Sequence, residues 1–202
     1  MQEKNARQTN QARTEATRKA LIQAGRALFA EKGYADTGTP EIVKAAAVTR
    51  GALYHHFRDK ADLFAAVVRA EAESVASEIE AGSVDAPTAA AALEAGGAAY
   101  FAAMAAPGRI RLLLLDGPAV LGHAAIREID TATGGGALRD GLAAALPETA
   151  PPESVNALAD MLSAAFDRAT IAIAAGAAAP AYRESLGQLV NALIGGATKN
   201  PR

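Results

Sequence analysis

Between Thr37 and Lys60 the chain reads TGTPEIVKAAAVTRGALYHHFRDK, two short helical patterns with almost nothing between them. Thr39, Pro40 and Glu41 open the first: a hydroxyl can cap, Pro suits the first helical position, and an early carboxylate matches the helix dipole. Ile42, Ala45 and Ala46 give that helix one apolar side. Val48 then plugs the core at the turn and Thr49 caps the next helix, which runs from Arg50 to about Phe57 and buries Leu53 and Phe57. Arg50, Gly51, Tyr54 and His55 are left nearer the outside. Asp59 caps a third segment in which Leu63, Phe64, Val67 and Val68 continue at helical spacing, with Val75 and Ile79 further along towards Gly82. The spacing is that of a helix-turn-helix followed by the basic entry to a longer helix.

Upstream, from about Thr14 to Lys32, Leu21, Ala24, Leu28 and Phe29 recur at the three and four spacing of one helix face, and Gly33 supplies the stop. Gly25 inside this helix costs about 1 kcal/mol relative to Ala, which a close helix crossing would justify. Residues 1–13 are polar and without apolar periodicity, and are expected as a flexible arm. Lys4, Arg7 and Arg13 on such an arm can follow a phosphate backbone, the alternative being a merely disordered start.

The chain of 202 residues contains no Cys, which excludes disulfides, thiolate metal sites and cysteine nucleophiles and is compatible with a reducing cytoplasm. Few aromatics and few β-branched runs favour an all-α chain. Stretches such as RLLLLDGPAVLG are too short and too interrupted to span a bilayer, and Met1 to Gln11 has no apolar signal-peptide core, so no membrane partner is expected. Charge is unevenly divided. Residues 1–60 hold 11 Lys and Arg against 6 Asp and Glu, while residues 61–202 hold 9 against 16. A basic head on an acidic body suits a polyanion partner for the head alone, although clustering on solvated helix faces would give the same count.

The order and spacing over roughly residues 18–68, from LFAEKGY through Thr37, Ile42 and Ala46 to VTRGALYHHF and DKADLF, resembles the TetR/AcrR family of transcriptional regulators. DGPAVLG at 116–122 and REID at 127–130 carry a weaker likeness to one branch of it. Two departures stand out. Ala47 occupies the turn position that usually holds Gly, so a non-Gly residue must accept an unfavourable backbone angle or a different turn. Gly38 stands where the capping hydroxyl is often found, so Thr39 is expected to cap instead.

Beyond Gly82 a second, wholly helical domain is expected. Asp85 and Pro87 open a helix to about Ala105, which Pro107 and Gly108 break; Arg109 to Leu115 makes a short apolar helix, and Asp116 to Pro118 turn into another reaching about Thr131. Gly134 to Gly136 read as a loose hinge before a small helix, Ala137 to Leu146, and PETAPPE as a linker. Helices at 153–176 and 180–196 carry apolar stripes, Val155, Leu158, Leu162, Ala165, Ala169 and Ala172 on one, Leu186, Leu189, Val190 and Leu193 on the other. Such stripes can pack against a symmetry mate as a four-helix bundle or face only the chain's own core; the family resemblance implies a homodimer.

The expected organisation is therefore an arm (1–13), a helix-turn-helix DNA-binding domain (14–60) and a helical regulatory and dimerisation domain (61–202). The expected function is a ligand-responsive transcriptional regulator, a repressor, on palindromic double-stranded operator DNA. Arg50 is the candidate for a bidentate bond to guanine. Thr49, Tyr54 and His55, with Gly51, lie on the same face for phosphates or a thymine methyl, and Lys60 and Thr39 are expected to anchor phosphates beside helix N-termini. Tyr54 as partly core and Arg50 as a phosphate clamp are the plainer alternatives. The resemblance further implies a small-molecule effector that enters the middle helices and lowers DNA affinity. Tyr100, Phe101, Met104, His123 and Phe166 are the candidate contacts, with ordinary core packing accounting equally well for the aromatics and Met104. No cofactor, metal or catalytic residue is expected: His55, His56 and His123 do not form a ligand set, and TGGGAL lacks the flanks of a phosphate loop. A DNA-binding co-regulator or architectural protein without an inducer, and a helical-bundle enzyme, are the competing classes.

Overall fold

The computed structural model of the protein describes the backbone of residues 2–198 and the side chains of residues 11–195. The described residues are all-α, ten α-helices and one π-helical segment with no strand among them. In order they are α1 (Gln2–Lys32), α2 (Thr39–Ala45), α3 (Arg50–His56), α4 (Lys60–Ser83), α5 (Ala89–Met104), the π-helical segment Arg111–Asp116, α6 (Gly117–Leu121), α7 (His123–Thr131), α8 (Gly134–Ala145), α9 (Pro152–Ala174) and α10 (Ala179–Thr198). They fall into two compact units, residues 1–71 with 111–122, and residues 72–110 with 123–202. The boundary expected at residue 60 lies inside the first unit, which also takes in a segment from the middle of the chain.

The first unit, the head, is built on rings. Phe29 meets Phe64 edge to face at 5.1 Å, and Tyr34 lies 5.8 Å from Phe29 and 4.9 Å from Phe64. Leu21, Ile42, Leu53 and Leu63 are fully buried around them. The expected crossing at Gly25 is present: a Cβ there would stand 3.4 Å from Val67 and 3.6 Å from Leu63 of α4, in ordinary contact, and more tightly, at 3.3 Å, against the Phe29 ring. Residues 2–13, expected as an arm, continue α1 as helix. Gln, Lys, Arg, Glu and Ala are good helix formers, and neither Gly nor Pro interrupts them. The side chains of Lys4 and Arg7 lie outside the described residues.

The second unit is built mainly on aliphatic side chains, with two buried phenylalanines. One cluster joins Leu93 of α5, Leu142 of α8, Val155, Ala159 and Leu162 of α9 and Val190 of α10; another joins Phe101, Phe166, Ala169 and Leu186. Arg109, only 6% exposed, ties this unit internally by donating to the Ala103 carbonyl at 2.6 Å and pairing with Glu78 at 3.0 Å.

Several boundaries differ from the sequence reading. Thr88, not Asp85 or Pro87, caps α5, its hydroxyl accepting from the Ala91 N–H at 3.1 Å. The single helix expected from 116 to 131 is broken at Gly122, whose φ of 82° no helix tolerates. Gly134 to Gly136 are not a hinge but the first turn of α8. At two of them that turn folds back on the end of α7, so that a Cβ at Gly135 would overlap the Asp130 carboxylate and one at Gly136 the Thr131 carbonyl.

Candidate functional site

The chain enters and leaves the helix-turn-helix through two differently made turns. Gly33 ends α1 with φ 86°, its N–H donating to the Phe29 carbonyl at 2.9 Å. The loop that follows is pinned from several sides. Thr37, 1% exposed, donates to the Gly33 carbonyl at 2.7 Å; the Tyr34 N–H donates to Asp116 Oδ2 at 2.9 Å; Arg111 donates to the Glu31 carbonyl at 2.9 Å. Asp116 and Arg111, placed by sequence in the other domain, are thus part of the head. The only signal for this was the DGPAVLG likeness, which says nothing of where the segment docks.

Helix α2 ends in a Schellman arrangement, with the Ala47 N–H on the Lys44 carbonyl at 3.2 Å and the Val48 N–H on the Val43 carbonyl at 3.0 Å. The residue at the left-handed position is Ala47, φ 53°. The usual turn is therefore made and the strain accepted, at roughly 1–2 kcal/mol for a residue with a Cβ. Thr49 caps α3 as expected, accepting from the Ala52 N–H at 3.1 Å, and Asp59 accepts from the Asp62 N–H at 2.8 Å at the start of α4. Thr39 does not cap α2: the N-cap is Gly38, with no side-chain cap bond, and Thr39 is the first helical residue. Gly38 already has the extended backbone, φ −95° and ψ 146°, that the cap position requires.

Helix α3 accordingly turns Leu53 inward and leaves Thr49, Arg50, Gly51, Tyr54 and His55 on an exposed face. Arg50 lies over the Tyr54 ring at 5.6 Å. The Thr39 hydroxyl and then the Arg50 guanidinium beside the phenol hold the Tyr54 pKa below its ordinary value, which ties Thr39 to this face. His56 is half-buried; desolvation, then the charges of His55 and Arg18, hold it below the usual histidine range. Lys60 is engaged differently from the expected phosphate anchor. Its Nζ donates to the carbonyls of Tyr34 at 2.9 Å and Thr37 at 3.0 Å and stands 4.1 Å from the Tyr34 ring centroid, so its charge braces the loop.

Of the five effector candidates the second unit brings three together. Tyr100 lies 5.8 Å from Phe101 and 5.6 Å from Phe166, and Phe101 lies 5.6 Å from Phe166. Met104 is 1% exposed, and His123 is an exposed residue at the start of α7, outside this cluster. Sequence reasoning missed the polar partners of the rings: Tyr100 donates to Asp167 Oδ1 at 2.6 Å, and Ser163 donates to Asp130 Oδ2 at 3.2 Å. Asp167 and Asp130 sit in ordinary-looking helical sequence, and nothing short of the packing marks them.

Residues 21–67 match the family described as bacterial regulatory proteins, tetR family, and residues 90–197 match the tetracyclin repressor-like, C-terminal domain. The chain belongs to the TetR family of bacterial regulatory proteins. It is 47% identical over 62 residues to the HTH-type transcriptional regulator AcrR of Shigella flexneri, a stretch covering 31% of this chain and 28% of that protein. It is 49% identical over 51 residues to the transcriptional regulator AcuR of Cereibacter sphaeroides, covering 25% and 23%. These alignments span less than a third of the relatives' lengths. Over nearly the whole chain it resembles a TetR-family transcriptional regulator from Pectobacterium atrosepticum, with TM-score 0.69 and 29% identity over 95% of this chain and 98% of that one. No helix among the described residues is long and apolar enough to cross a membrane.

Proposed function

We propose that the protein is a cytoplasmic repressor that binds a palindromic operator as a homodimer through the exposed face of α3 and is released by a small molecule held in the second unit. The observation that carries the reading is the two-sided α3. Its inner side is fixed by the fully buried Leu53, and its outer side presents Arg50, Tyr54 and His55 unobstructed. One helix this short reads only a few base pairs, so selectivity requires two copies on half-sites about 34 Å apart. Arg50 reads guanine by paired hydrogen bonds, while Tyr54, His55, Thr49 and Thr39 position the helix on phosphates.

Dimerisation through α9 and α10 is supported by large apolar side chains left at the surface of these helices, Met161 at 59% and Leu189 at 44% exposure. Regulation requires only that the effector bind the form of the dimer with lower DNA affinity better than the operator-bound form. Tyr100, Phe101 and Phe166 supply the contacts; Met104 and His123, as placed, do not join them. Sedimentation of the protein with a selected duplex tests the assembly. Two chains per duplex, with Met161→Glu abolishing the complex, is the expected result; one chain per duplex would refute the homodimer.

A further inference from the structure

Two carboxylates of the second unit, Asp167 beside the Tyr100 ring and Asp130 beside Ser163, have no counter-charge among the described residues. Asp167 accepts from Tyr100 and Asp130 from Ser163, and both are partly covered. Burial pushes the Asp167 carboxyl up to about 6, with the charge of Asp130 adding to the rise, and burial raises Asp130 as well. The groups acting on the pair are Tyr100, Ser163, the Gly135 N–H and the further carboxylate of Asp160. No Lys, Arg or His is among them, and neither carboxylate makes an ion pair among the described residues. Arg183 lies over the Phe101 ring at 5.4 Å, yet pairs with neither.

A second feature points into the same place. Thr170 is 4% exposed and its hydroxyl makes no hydrogen bond, although it lies close enough to the Tyr100 phenol to act on its ionisation. A buried hydroxyl without a partner is costly, and desolvated carboxylates without a cation cost more. Ring faces attract cations, most strongly where water is excluded. Two carboxylates with hydroxyls and rings suit a large, weakly hydrated cation; a hard metal ion takes six or more oxygens, and no group of three His, Asp or Glu side chains able to hold one occurs among the described residues.

We propose that Asp167 and Asp130, with Tyr100, Phe166 and Thr170, form a binding site for an organic cation, an amine or quaternary ammonium bearing an aromatic body. This rests on reading the second unit as the effector-responsive part, and it names the effector's chemical class. The cation's charge faces the carboxylates, its aromatic body packs on Tyr100 and Phe166, and Thr170 gains a partner where the ligand carries an acceptor.

Isothermal titration of the full chain with benzyltrimethylammonium and with phenylmethanesulfonate, of similar shape and opposite charge, tests the site. The cation binds and the anion does not; Asp167→Asn weakens the cation by about tenfold or more, and Asp130→Asn acts in the same direction. Equal binding of both ions, binding of neither into the millimolar range, or undiminished cation binding by a folded Asp167→Asn variant would overturn the proposal. Should Asp167→Asn not fold, Asp130→Asn decides by the same criterion. Loss of self-association in Asp167→Asn would mean that the carboxylate faces a second copy of the chain, and would also overturn it. Operator affinity separates this from the broader reading. A cation that binds through Asp167 without changing DNA affinity leaves the site standing and removes the effector role; release of DNA by uncharged molecules alone does the reverse.

Discussion

Phe29, Tyr34 and Phe64 close the head with ring centroids 4.9–5.8 Å apart, and the loop beside them has the carbonyls of Gly33, Tyr34 and Thr37 taken up by Thr37 and Lys60. The second unit closes on leucines, valines and a second trio of rings, Tyr100, Phe101 and Phe166, 5.6–5.8 Å apart, but carries two carboxylates and a hydroxyl that its own residues do not fully satisfy. The contrast divides the work. A reader of base edges must hold its outward face rigid, so its interior is filled and its polar groups are paired. The proposed effector response requires interaction energy left unrealised in the free state, and the polar groups around Asp167 are the place proposed for it.

The largest effect is expected in the head. Phe64→Ala should lower stability by about 3–5 kcal/mol, since the site is fully buried among rings. Phe166→Ala, at 8% exposure, should cost less. Chemical denaturation of both variants checks this, and a larger loss for Phe166→Ala would break the comparison. Next comes Lys60→Met, which strips two carbonyls of their donor. A stability loss of about 1–3 kcal/mol is expected, with DNA affinity falling to the same degree on every sequence; an unchanged melting temperature would return Lys60 to the role of phosphate anchor.

Asp167 gives the second unit a pH dependence of defined sign. Its carboxyl, raised from 3.8 to about 6, contributes stability that is fully present below pH 3.8 and lost as pH rises through about 6. At pH 8 Asp167→Asn should therefore be more stable than the parent, on the order of 1–2 kcal/mol, with the gain fading towards pH 4. Melting curves at the two pH values read it, and a variant less stable at pH 8 would show that the carboxylate is compensated. The smallest effect is at the turn. Ala47→Gly relieves the positive φ but adds chain entropy, for a net gain of about 0.5–1 kcal/mol, visible as a melting temperature raised by a few degrees.

The head was legible in sequence because its signals are local. Thr49 as a cap, Gly33 as a stop, Leu53 and Phe57 as the buried side of α3, and the unfavourable angle at Ala47 all depend on residues within one or two turns. The bracing by Lys60 was not legible, because a basic residue at a helix start looks the same whether it faces solvent or folds back on the Tyr34 and Thr37 carbonyls. In the second unit Val155 and Leu162 were legible as one apolar stripe, and both are buried. The glycines at 134–136 were not, since a close approach to Asp130 and Thr131 leaves no periodic mark. Nor were Asp130 and Asp167, whose meaning depends on Tyr100 and Ser163 arriving from other parts of the chain.

Selection of binding sites from random duplex DNA by the full chain, run beside Arg50→Ala, tests the central claim most directly. A two-fold symmetric site should be enriched, with a guanine fixed in each half, and Arg50→Ala should lose that guanine, worth about 1–3 kcal/mol of discrimination, while retaining its affinity for unselected duplex. Enrichment of an asymmetric site, no enrichment, or the same guanine preference in Arg50→Ala would contradict the account.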